Sequence, residues 1–137
     1  MTPTVRRILA VIAGLAVAFL VIIVIEMINH AIYPLPEDVN PLDAQSLKSA
    51  MAGMPAGALA GVVLAWILGA LAGSFTAAKI AGSGGLLPGL VVGIFLLLGS
   101  VLNMAVLPHP VWVWAAALIL IPTASVLGTR LAGRPAA

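Results

Sequence analysis

The chain has 137 residues, 63% of them hydrophobic and only 7% charged, and its mean hydropathy is +1.24. An ordinary soluble domain carries about 25% charged residues; a chain this apolar has too little polar surface for water and is expected to use lipid as its solvent. The formal charge of +2 rests on six Lys and Arg, too few for a nucleic-acid surface, and the absence of cysteine removes disulfides, thiolate chemistry and Cys-ligated zinc or iron–sulfur sites.

The first apolar run follows Arg6 and Arg7 and extends without a charge from Ile8 to Ile25. A signal-peptide core is only about 7–15 residues long and leads to a small-residue cleavage site. Here the run leads instead to Glu26, Met27, Ile28, Asn29 and His30. The segment therefore reads as a retained span over 6–33, stopped by Pro34 and Pro36.

A connector follows. Asn40-Pro41-Leu42-Asp43 has the composition of a helix start, with Asn40 as the cap and Pro41 at the first position. Leu47, Ala50, Met51 and Met54 then recur at helical spacing, which predicts a short amphipathic outer helix over 41–54, lying at the interface or capping the bundle.

The second span is expected over 55–80, closed by Gly82, Gly84 and Gly85. Gly53, Gly57, Gly61, Ala65, Gly69, Gly73 and Ala77 place a small residue at every fourth position along it. Helices in lipid associate by close backbone approach, which such small-xxx-small ridges permit. A spacing of four advances about 40° per step around a helix of 3.6 residues per turn, so this ridge could serve two neighbours. Ala10, Gly14 and Ala18 in the first span are a shorter version, as are Gly89 and Gly93 in the third.

The third span is expected over 88–107, ended by Pro108 and Pro110, and the fourth over 111–131. Pro122, followed by Thr123 and Ser125, interrupts the fourth near mid-depth and predicts a kink. Trp66, in the middle of the second span, reads as packing or lipid contact. The expected fold class is thus an all-α integral membrane protein, a four-helix bundle in one domain over 1–137. With the amino terminus inside, Arg6, Arg7, Lys79, Arg130 and Arg134 are all cytoplasmic and only Lys48 is outside. The expected location is the bacterial inner membrane with both termini in the cytoplasm.

The ionisable groups at the outer side carry the functional hypotheses. An ionisable residue within a span is a functional-site hypothesis by default. Continuing the first-span ridge through Ile22 leads to Glu26 and His30, which predicts that both point into the bundle. Glu26 lies 19 residues beyond Arg7, about 28 Å along a helix, near the outer end of the hydrocarbon. Asn103 has a similar expected depth, and His109 sits in the turn before the fourth span, so with Asn29 these groups could converge in one polar layer.

Three roles fit such a layer: a hydrogen-bonded structural cluster, a proton- or cation-handling site using Glu26, His30 and Asn103, and a metal site from Glu26, His30 and His109. The residues name no cofactor outright; a divalent metal is the candidate, ahead of a bis-histidine haem, for which His109 lies in a turn rather than inside a span. The packing positions are Gly57, Gly61, Gly69, Gly73, Gly89 and Gly93. Neither a phosphate loop, a dinucleotide fingerprint, a nucleophile elbow nor a His-Glu-x-x-His helix is present.

Two families of similar size do not fit. Small multidrug exporters have a glutamate in the first span, but Glu26 is too near the outer end, and the Trp-Ser-Gly segment of that family is missing. Fluoride channels have dual topology, which conflicts with the bias of basic residues. The reading is a small non-enzymatic membrane protein, an assembly-forming or accessory subunit whose partners are the bilayer and a second copy or another membrane subunit. The alternative is a homo-oligomeric channel or transporter coupled to a proton or cation through Glu26 and His30. A metal-dependent membrane enzyme is third.

Overall fold

The computed structural model describes residues 1–133. They form five α-helices, α1 (Pro3–Ile32), α2 (Ala44–Ala52), α3 (Ala56–Ala81), α4 (Leu86–Val106) and α5 (Val111–Ala132), with a 3-10 turn at Gly82–Gly84. Four of the helices are long and apolar enough to cross a membrane. Arg134 and Pro135 lie outside the described residues.

Local chemistry sets the boundaries. α1 begins before Arg6 because the Thr2 hydroxyl accepts the Val5 N–H at 3.3 Å and Pro3 takes the first position, where its missing N–H costs nothing. The connector helix starts three residues later than Asn40-Pro41 suggests. Asp43 is its cap, accepting the Gln45 and Ser46 N–H groups at 3.3 and 3.1 Å. Asn40 instead closes the preceding turn, its Oδ1 accepting the Leu42 N–H at 3.0 Å. Both side chains are good caps, and the carboxylate, which accepts two N–H groups at once, takes the helix.

α3 ends at Gly82, whose φ of 70° lies in the left-handed region. Arg6 closes over this end, donating from Nε to the Ile80 carbonyl at 2.7 Å. α5 is helical through Pro122 without a break. Thr123 donates its hydroxyl to the Ile119 carbonyl at 2.7 Å and Ser125 to that of Ile121 at 3.0 Å, so both hydroxyls fold back on the helix beside the proline.

The long helices alternate in direction, and α3 is the hub. It packs against α1, α4 and α5, while α1 rests mainly on α3 with a smaller contact to α4. α3 is accordingly the most buried of the four and α1 the least. Arg6, Arg7, Lys79 and Arg130 gather at one end, while Glu26, the connector and the Pro108-His109-Pro110 turn lie toward the other.

Backbone meets backbone in the α1–α3 seam at Gly14 and Gly73. A Cβ at Gly14 would lie 2.6 Å from the Gly73 carbonyl oxygen and 2.7 Å from Ala77 Cβ. One at Gly73 would lie 2.7 Å from both the Gly14 oxygen and Ala18 Cβ, and Val92 of α4 closes the same contact at 3.1 Å. Further along, Gly69 receives Ile22. The period-four line of α3 therefore meets α1 at Gly57, Gly61, Gly69 and Gly73, and at Gly73 it also meets Val92 of α4. On α3's other flank the glycines belong to the partners. Gly85 faces the Ala78 carbonyl, Gly89 lies against Ser74 and Thr129, Gly93 against Ser125, and Gly128 against the Leu71 carbonyl and Phe75 nitrogen. Gly99 alone among the helical glycines of α4 meets nothing within 4 Å.

Candidate functional site

The side chains singled out at the acidic end separate into four places. On α1, the residues turned to α3 are Gly14, Ala18, Ile22, Asn29 and Tyr33. The first steps are four residues long, and each carries the line about 40° around the helix. Between Ile22 and Asn29 the line takes seven residues for two turns and falls back. Asn29, not His30, therefore meets Gly61, and Tyr33 meets Gly57. The Asn29 amide donates from Nδ2 to the Ala58 carbonyl at 3.0 Å.

This fallback turns Glu26 and His30 out of the seam, contrary to the expectation that they follow the small-residue ridge inward. They line an open groove of about 480 Å³ with Ile22, Ile23 and Met27, every one a residue of α1. Glu26 is half-buried and His30 exposed. Among the described residues, neither side chain has a hydrogen-bonding or ion-pairing partner on another helix.

His109 is drawn elsewhere. Its ring lies 6.3 Å from that of Trp66, centroid to centroid, tilted by 47°. Its Nδ1 lies 2.8 Å from the Leu107 carbonyl oxygen, so Nδ1 is the donor in this contact. α3 side chains lean toward the helix's amino end, which is how a mid-helix tryptophan reaches the turn after α4. Asn103 is exposed, and its backbone carbonyl accepts the Leu107 N–H at 2.9 Å.

The single polar layer does not form. Asn29 is used in the α1–α3 seam, His109 packs on Trp66, and Glu26 and His30 share a surface groove. The metal set Glu26, His30 and His109 is not assembled: the described residues contain no group of three His, Asp or Glu side chains placed to hold an ion. The physical reason is the pull of stronger local partners, an aromatic face and a carbonyl for His109 and the notch at Gly61 with the nearby Ala58 carbonyl for Asn29.

The reading from sequence passed over two features. Asn29 and Tyr33 stand opposite Gly61 and Gly57, and seven residues from Ile22 to Asn29 is the spacing that would have revealed it. Ser74 of α3 is fully buried beside Gly89 and Gly93 of α4, and among the described residues its hydroxyl has no hydrogen-bond partner. Ser125 and Thr129, close by, each return their hydroxyl to the carbonyl four residues earlier. No family model, curated protein or solved structure matches the chain.

Proposed function

We propose that the protein is a small integral membrane subunit that works in an assembly with a second copy of itself, through the outward face of α1. The composition and the four long apolar helices support the membrane reading. One observation carries the assembly reading: Glu26 and His30 sit together on the least buried of the long helices, in a groove that no other helix of the chain covers. An ionisable side chain facing hydrocarbon is expensive and is retained where a partner pairs it. Two copies related by a two-fold axis would set Glu26 of each near His30 of the other, so the face is self-complementary. The glycine ridges, by contrast, are consumed inside the subunit.

A second reading rests on the same pair. A carboxyl and an imidazole at an interface between copies can share or pass a proton, which makes a proton- or cation-conducting pathway between subunits the functional alternative. The metal-dependent reading has no assembled group of three ligands among the described residues. The basic residues support an orientation with the amino terminus in the cytoplasm.

The absence of cysteine supplies a direct test. Ile23→Cys or Met27→Cys, on the groove, should cross-link copies in native membranes, and Leu102→Cys, on the exposed face of α4, should not. Equal cross-linking at all three positions, or a monomer with no cross-link at either groove position, overturns the assembly reading. Flux into proteoliposomes under a pH gradient separates a structural interface from a conducting one.

A further inference from the structure

The opposite end of the bundle holds a cavity that the reading above does not use. It has a volume of about 480 Å³ and lies among the last turns of α3 and α5 and the start of α4. Lys79, Ser83, Thr129 and Arg130 line it together with Gly82 and Gly85. Lys79 and Arg130 are exposed and come from different helices. A third cation lies beside Gly82, one of the lining residues: Arg6 is tied by Nε to the Ile80 carbonyl, and a Cβ on Gly82 would lie 2.8 Å from its Nη2. The glycine turn thus lets a guanidinium lie directly on the backbone beside the cavity.

Charge and polarity then limit what can fill it. All four Asp and Glu of the chain are at Glu26 or between Glu37 and Asp43, toward the far end. Among the described residues, no carboxylate side chain is placed to neutralise Lys79, Arg130 and Arg6. Immediately beside the cavity the surface becomes apolar, with Ile80, Leu86 and Leu131 exposed. A cationic, hydroxyl-bearing cavity at the end of apolar helices fits an anion whose remainder is hydrocarbon.

We propose that this cavity binds a phosphate group, held by Lys79 and Arg130 with Ser83 as a hydroxyl donor. The phosphate is carried by an anionic lipid headgroup, or by a soluble phosphate compound using the same contacts. The apolar rim favours the lipid, because acyl chains can lie against Leu86 and Ile80 while the phosphate stays in the cavity. Arg7 is a useful contrast. It borders a separate apolar groove between α1 and α4, with Ile8, Leu87 and Val91, and is outside the cavity.

The test is binding to the purified full chain, stripped of lipid, by native mass spectrometry with phosphatidylglycerol, phosphatidylcholine or inorganic phosphate added. Each basic residue near a membrane surface is worth about fivefold in affinity for anionic lipid. K79Q/R130Q should therefore weaken phosphatidylglycerol binding about 25-fold, K79R/R130K should retain most of it, and R7Q should change it less than twofold. If the double variant does not fold, K79Q and R130Q singly carry the same readout at about fivefold each. Competition by millimolar inorganic phosphate would assign the site to soluble phosphates, and resistance to it would assign the site to lipid. Phosphatidylglycerol binding that matches phosphatidylcholine, or that survives loss of both cations while the protein remains folded, overturns the proposal.

Discussion

Asn29 and Gly61 are a matched pair across the α1–α3 seam. The Asn29 amide occupies the space that a Gly61 side chain would take, and from there it reaches the Ala58 carbonyl at 3.0 Å. The glycine makes room for the amide, and the hydrogen bond holds the amide in place. Interhelical hydrogen bonds in membranes average about 0.6 kcal/mol and reach about 1.7 kcal/mol. Asn29→Leu should lower stability by this order in reversible unfolding from mixed micelles. Gly61→Ala should produce the same loss by a different route, by displacing the amide, and combining the two should cost less than their sum.

Glycines in the chain should not respond alike to substitution. At Gly73 a Cβ meets the Gly14 carbonyl oxygen and Ala18 Cβ, neither of which can rotate away. Gly73→Ala should therefore cost about 1–3 kcal/mol, the range for overpacking a close contact. Gly99 has open space on its exposed face. Gly99→Ala should be neutral or stabilise by up to about 1 kcal/mol through helix propensity. Thermal unfolding of the two variants side by side checks the contrast.

Ser74 predicts a mutation that helps. A buried hydroxyl without a partner carries its desolvation cost unrelieved, and Ser74 is such a group. Ser74→Ala should leave stability unchanged or raise it by up to about 1 kcal/mol. Ser74→Val should lower it, because the position is fully buried against Gly89 and Gly93 of α4. A fall in Tm for the alanine variant would mean that the hydroxyl has a role in the interior.

The two adjacent arginines of α1 should also differ. Arg6 caps the end of α3 through the Ile80 carbonyl, where a cation is favoured by the helix dipole by about 0.3–1 kcal/mol. Arg6→Ala should show that loss, and Arg7→Ala should not. Both arginines count equally as topology signals, so a reporter fused at either terminus should respond to the two variants alike.

Glu26→Gln keeps the shape of the groove and removes the charge. If the α1 face joins two copies, this variant should shift the protein toward monomer in native mass spectrometry and reduce cross-linking at Ile23→Cys, while the thermal stability of the separated subunit is unchanged. A fall in stability with no change in oligomeric state would make Glu26 a structural residue of the single chain.

The architecture was legible because its signals are local. Long uncharged runs bounded by Pro34, Pro55, Pro108 and Pro110, with glycine after Lys79, mark four helices without reference to any contact. The acidic-end site was not, because it depends on where one helix stops following another. Extending the line Ala10, Gly14, Ala18 and Ile22 by one more step of four reaches Glu26. The helix instead takes seven residues to Asn29, and that choice is made by Gly61 and Ala58 on α3. His109 was misplaced for a similar reason, since its ring is set by Trp66, 43 positions earlier in the chain.

The seam between α1 and α3 also has a direction in time. The bond of Asn29 closes over 29 residues of chain and that of Arg6 over 74. Shorter loops close at lower entropic cost, and Ala58 emerges from synthesis well before Ile80. The hairpin can therefore zip from the acidic end downward, each glycine admitting its neighbour in turn, with the Arg6 latch engaging last. The face of α1 that carries Glu26 and His30 takes no part in this zipping and is left uncovered when it is complete.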